Sequence, residues 1–169
     1  MNDMSEDIRL AGKGDTEAFA RLYSTVYEDL YHIALHSLRN QHDAADAVSD
    51  TVLDAFKSIK KLRSPDKFRG WIMTILAAKI KRKQRTYYEP VEDVEDASQI
   101  SDSFSYESVE LREAVGKLDD ESKLLLSMSV LGGYTSDEIS SLCGIKPTTV
   151  RSKLARIKQK LRLELTPEI

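Results

Sequence analysis

Residues 134–163, YTSDEISSLCGIKPTTVRSKLARIKQKLRL, decide the fold. Thr135 and Glu138 stand at the spacing of a capping box, in which each side chain satisfies a backbone N–H left open at a helix start. A short helix is therefore expected from about Thr135 to Cys143. Gly144 supplies a turn, and Lys146-Pro147 opens a second helix with proline in its favoured first turn. Ile139, Leu142, Ile145, Val150 and Leu154 are spaced to close these two helices over the turn, which leaves the second one projecting outward as in a helix-turn-helix. Its outward positions include Lys146, Thr148, Thr149, Arg151, Ser152, Lys153 and Arg156, a mixture suited to base edges and phosphates. No acid interrupts the run from Pro147 to Leu163, so duplex DNA is the expected ligand.

A net charge of -3 would disfavour nucleic acid if the charges were evenly spread, but they are segregated along the chain. From Lys57 to Arg85 the segment is basic, opposed only by Asp66. From Glu89 to Glu113 it is acidic, relieved only by Arg112, and the basic final helix follows. The 87–105 stretch, with Pro90, repeated acids and no sustained apolar period, reads as a solvated linker.

Upstream of that linker the apolar spacing is helical throughout. Phe19, Leu22, Tyr23, Val26, Leu30, Ile33 and Ala34 predict one long helix from Asp15 to Arg39, with Asp15 as its cap. A second helix should start near His42 or Asp43, bury Ala45, Val48, Val52, Phe56 and Ile59, and end near Leu62. Ser64-Pro65 interrupts, and a third helix with the stripe Phe68, Trp71, Ile72, Ile75, Leu76 and Ile80 follows. Phe68 and Trp71 fit that buried stripe better than a base-stacking platform. Beyond the linker, a helix is expected over 106–115 and another, capped by Asp119 or Asp120, through Leu131 to the stop at Gly132-Gly133. No strand is expected, and the fold class is all-α, two small helical domains joined by an acidic linker.

The segment Tyr134 to Leu161, read with Leu118-Asp119 before it, resembles sigma region 4 of the sigma-70 family. Asp43-Ala-Ala-Asp-Ala-Val-Ser-Asp-Thr-Val52, followed by Phe68-Arg-Gly-Trp-Ile-Met-Thr-Ile75, resembles sigma region 2. The resemblance runs from about residue 5 to residue 165 in family order, with no further domain between the halves, like the small extracytoplasmic-function (ECF) class of bacterial RNA polymerase sigma factors. It implies a region 2 domain over 5–86, a linker over 87–105 and a region 4 domain over 106–165.

By that resemblance, region 2 binds the clamp of core RNA polymerase and opens the minus-ten element, and region 4 binds the minus-thirty-five element of promoter DNA. Polymerase contact carries over to Asp43, Asp46, Ser49 and Asp50. Minus-ten recognition carries over to Lys61, Arg63, Ser64 and Lys67, with backbone contacts from Lys79, Arg82 and Arg85. The third helix departs from the family: Ala77, Ala78 and Arg82 stand where an Arg-Asn pair and a later Asp are usual. An anti-sigma protein is a further implied partner. The competing readings are a stand-alone helix-turn-helix regulator and a sigma-like interaction protein without promoter melting.

Other chemistry finds little support. There is no phosphate-cradling glycine loop, nucleophile elbow or metal-protease motif, so neither an enzyme nor a cofactor is expected. His32 and His36 are one helical turn apart, but no cysteine or carboxylate set completes a metal site around them. Cys143, the one cysteine, excludes an intramolecular disulfide and is expected as a small buried thiol in the helix-turn-helix. No apolar run approaches the ~20 residues of a membrane span, and the N-terminal residues lack an apolar signal core. A cytoplasmic protein without membrane insertion is expected.

Overall fold

A computed structural model describes residues 4–86 and 109–165, so the expected 87–105 linker lies outside the described residues. The described residues form helices and no strands. The first group comprises α1 (Met4–Gly12), α2 (Thr16–Ser24), α3 (Tyr27–Leu38), α4 (Gln41–Ser58) and α5 (Phe68–Thr86), with 3-10 turns at Ile59–Lys61 and Pro65–Lys67. The second comprises α6 (Val109–Gly116), α7 (Asp120–Val130), α8 (Ser136–Cys143) and α9 (Pro147–Leu165).

The long first helix expected from Asp15 divides into α2 and α3. Asp15 does cap α2, accepting from the Glu17 and Ala18 N–H groups at 3.0 and 3.1 Å. At the far end the Thr25 and Val26 N–H groups donate three residues back, to the Leu22 and Tyr23 carbonyls at 3.1 and 3.0 Å, so the last turn tightens and the helix stops. Ser24 Oγ and Thr25 Oγ1 also donate three residues back, at 2.7 Å. Val26 stays buried across the break, which is why the apolar period gave no sign of it. The amphipathic α1 was not expected either. Its Ile8 and Ala11 enter the core, and its buried Asp7 accepts from Arg21 of α2 at 2.8 and 3.1 Å.

Asn40 caps α4 by accepting from Asp43 N–H at 2.9 Å, so the helix begins at Gln41, one residue before His42. Pro65 opens a 3-10 turn that leads into α5. Phe68, Ile72, Leu76 and Ile80 are buried on one side of α5 as expected, and Trp71 packs half-buried against the same core. Ala45 departs from expectation: it is exposed, while its neighbours Ala44 and Ala47 are buried.

The two groups share one core, which runs without interruption from Ile8 through Ile80 to Ile157. Their seam lies where α3 and α5 meet α7 and α8. Donors from the first group reach backbone carbonyls of the second across it. Arg39 donates to the Arg112 carbonyl at 3.1 Å, Lys81 to that of Cys143, and Gln84 to that of Asp120 at 2.9 Å. Gln84 is buried and also reaches the Ser37 carbonyl at 3.3 Å, so its amide joins α3, α5 and α7. Arg69 lies over the Tyr134 ring, 4.9 Å from its centre, while donating to the Gly132 carbonyl and to Asp29, both at 3.1 Å. Cys143 ends α8 and Ser37 lies in the last turn of α3, where carbonyls lack partners within their own helix, so Lys81 and Gln84 are well placed to satisfy them.

Candidate nucleic-acid interface

The helix-turn-helix is built by local chemistry. Thr135 Oγ1 accepts from Glu138 N–H at 3.2 Å and Glu138 Oε1 accepts from Thr135 N–H at 3.0 Å, completing the capping box. These bonds hold the Glu138 carboxyl below its ordinary range. At the other end Gly144 adopts φ 68°, a left-handed conformation that costs glycine little. Gly144 and Ile145 N–H both donate to the Ser140 carbonyl, and Ser140 Oγ closes the turn on the Ile145 carbonyl at 2.5 Å. Cys143 is buried in this turn, and burial pushes its thiol up to about 11, so it stays protonated at neutral pH.

Val150, Leu154 and Ile157 bury one stripe of α9 beneath α8, α7 and α6. The opposite side exposes Thr148, Arg151, Ser152, Ala155 and Arg156, with exposed Lys146 just before the helix. Ala155 was missed because it carries no polar group, although its position between Ser152 and Arg156 follows from helix geometry. Arg151 donates to Asp137 of α8 at 3.2 Å, and Arg156 lies 3.4 Å from the Ser152 carbonyl. Thr149 and Lys153 are only partly exposed, on the flanks of the buried stripe. Lys153 is paired within the second group, to Glu121 at 3.0 Å and Asp119 at 3.8 Å.

In the first group, Lys61 and Lys67 are exposed on the two 3-10 turns and Arg63 is exposed between them, where the half-buried Ser64 bonds to Asp66. Arg82 and Arg85 are exposed on α5, whereas Lys79 turns toward α4 and pairs with Asp54 at 2.6 Å. That hydrogen bond from Lys79 is the main reason the Asp54 carboxyl lies below its ordinary range. Asp46, Ser49 and Asp50 share an exposed face of α4, and Asp43 is half-buried at its start. Lys83 approaches Asp46 to 3.6 Å, so the acidic face is partly neutralised at that residue. Leu53 continues the face and is 58% exposed, a feature the sequence signals only through its three- and four-residue spacing from Asp50 and Ser49.

Among the described residues no group of three or more His, Cys, Asp or Glu side chains is arranged to hold a metal ion. No described helix is long and apolar enough to cross a membrane.

The architecture is that of a two-part helical protein ending in a helix-turn-helix, and the comparisons with known proteins agree along nearly its whole length. Residues 22–89 match sigma-70 region 2 and residues 108–161 match sigma-70 region 4. Similar sequences include RNA polymerase sigma factor SigV of Bacillus subtilis, 26% identical over 83% of this chain and 87% of that protein. The ECF RNA polymerase sigma factor SigM of Mycobacterium tuberculosis is 24% identical over 88% of this chain and 77% of its own. Among solved structures, CnrH in complex with the cytosolic domain of CnrY superposes with a TM-score of 0.69 at 21% identity, covering 94% of both chains. The sigma factor RpoE from Bartonella quintana, in complex with the anti-sigma factor NepR, gives 0.69 at 18% identity, over 87% of this chain and 96% of that one. The chain belongs to the sigma-70 family of RNA polymerase sigma factors, in its extracytoplasmic-function group.

Proposed function

We propose that this protein directs core RNA polymerase to specific promoters and initiates transcription there, acting by binding and without catalysis of its own. The observation that carries this reading is the presence of two surfaces of opposite sign on one chain. The exposed face of α9 presents Arg151 and Arg156 with no acid from Pro147 to Leu163, as a phosphate-lined major groove requires. The exposed face of α4 presents Asp46, Ser49 and Asp50 around the apolar Leu53, which suits a basic protein partner and not a nucleic acid. Core polymerase is assigned to α4, on the clamp of its largest subunits, and promoter DNA to α9.

In the minus-thirty-five major groove, Thr148, Arg151, Ser152 and Arg156 lie on the side of the helix that can reach base edges, with Lys146 and the later lysines near phosphates. At the minus-ten element, Lys61, Arg63, Ser64 and Lys67 line the exposed turns before α5, and Arg82 and Arg85 track the strand from its far end. Lys79 serves that role only by leaving Asp54. An anti-sigma protein is a third partner, supported by the likeness to CnrH and RpoE, whose solved structures hold CnrY and NepR.

The polymerase assignment is tested by Asp46→Lys with Asp50→Lys, which should abolish co-purification with core polymerase; unchanged affinity would refute it. A stand-alone regulator would instead bind duplex DNA with no measurable affinity for polymerase. A sigma-like interaction protein would bind polymerase and support no promoter opening.

A further inference from the structure

Helix geometry sorts the expected DNA contacts of α9 into two sets. At ~100° per residue, a side chain three positions after one buried residue and four before another lies on the inward half of the helix. Lys153 stands in that place relative to Val150 and Ile157, both buried. Its side chain is 26% exposed, against 54% for Arg151. Its ammonium lies 3.0 Å from Glu121 Oε1 and 3.8 Å from Asp119 Oδ2. Asp119 is at the same time the cap of α7, its Oδ1 accepting from Ser122 N–H at 2.7 Å. One lysine thus ties the middle of α9 to the cap and the first turn of α7.

We propose that Lys153 is a positioning residue: it fixes the roll of the recognition helix about its own axis, and so the direction of Arg151 and Arg156, without contacting DNA. The inference rests on the reading of α9 as the duplex-binding helix. A roll of about 20° moves a side-chain tip ~5 Å from the axis by about 2 Å, enough to break a hydrogen bond to a base edge. Releasing Lys153 toward a phosphate would also strip Glu121 of its lysine and leave Asp119 with Lys123 as its nearby cation, so the internal pairing opposes a DNA contact.

The two roles predict opposite signs for the same substitution. The test uses the full chain assembled with core polymerase and a labelled duplex enriched from a randomised pool by the wild-type assembly, with affinity followed against salt. K153M should weaken binding about fivefold and leave the slope of log affinity against log salt unchanged. K153R, which keeps both pairs, should restore it. D119N combined with E121Q retains a competent cap and removes two negative charges, yet it should weaken binding by a similar factor. Adding K153M to that pair should cost nothing further.

The proposal is overturned if K153M shallows the salt slope by ~0.9, the signature of one lost phosphate contact, or if D119N with E121Q tightens binding. Thermal melts check that each variant folds, and if K153M does not, the sign of the D119N and E121Q effect still decides. If the wild-type assembly enriches no sequence at all, the reading of α9 as a duplex reader fails and this inference fails with it.

Discussion

Arg69→Ala removes a guanidinium that crosses the seam to the Gly132 carbonyl and the Tyr134 ring while pairing with Asp29 inside the first group, and so tests whether the seam between the two regions contributes to stability. Both partners of the ion pair are more than two-fifths exposed, at 47% and 41%, so solvent screens it. Such a pair is worth about 0.2–1 kcal/mol. The cation over the ring adds about 0.5–1 kcal/mol, and the hydrogen bond to the Gly132 carbonyl about 0.5–1.5 kcal/mol. One side chain makes all three, so they do not add in full, and a loss of about 2 kcal/mol is expected. For a chain of this size that corresponds to a fall in Tm of about 6 °C. Urea or thermal unfolding by circular dichroism measures it. Arg69→Lys should recover only part of the loss, because an ammonium keeps the charge but not the planar fork that serves ring and carbonyl together. A change below about 0.5 kcal/mol, or strict additivity with Tyr134→Leu in a double-mutant cycle, would refute the seam's contribution.

Three further outcomes follow from the same geometry. His36 is buried in α3, and burial first, then Arg39 and His32, hold its imidazole down to about 4 from the ordinary 6.5. The unfolded chain therefore binds the extra proton first; stability is fully present above pH ~6.5 and is lost on acidification toward pH ~4. The loss is on the order of 3 kcal/mol, and His36→Gln should flatten it; an equal acid slope in that variant would contradict the assignment. Cys143, buried with its thiol pushed up to about 11, should react with iodoacetamide at neutral pH only after unfolding, and rapid labelling of the native protein would contradict that burial. Gly132→Ala places a Cβ 2.6 Å from the Tyr134 ring and 2.7 Å from the Met128 carbonyl, so ring and turn must both shift. It should destabilise by about 1–3 kcal/mol, and a wild-type Tm would show that the turn yields freely.

The parts of this protein that were legible in its sequence are those whose forces are local. The capping box at Thr135 and Glu138, the left-handed Gly144 and Pro147 at the start of α9 each act within a few residues, and all stand where expected. The break between α2 and α3 is also local, but its tightened backbone turn at Thr25 and Val26 falls inside an apolar period that continues unbroken through Val26. The seam could not be read at all. A cation in a basic block gives no sign that it will reach a helix-end carbonyl more than sixty residues away, as Lys81 and Arg69 do.

The candidate site divides in the same way. A list of basic residues does not separate Arg151, on the exposed face, from Lys153, beside the buried stripe. The spacing from Val150 to Ile157 does separate them, and only the fold supplies Asp119 and Glu121 as the partners of Lys153. On α5 the same blindness hid the turn of Lys79 toward Asp54, since the two lie on separate helices.

The most direct test of promoter-directed initiation is run-off transcription by core polymerase, with and without this protein, over a library of promoter fragments. Promoter-directed initiation predicts transcripts from a restricted promoter set that require the protein and are lost in the Arg151→Ala, Arg156→Ala variant. A wild-type protein that binds core polymerase yet yields no transcript beyond those of the core enzyme alone would contradict it.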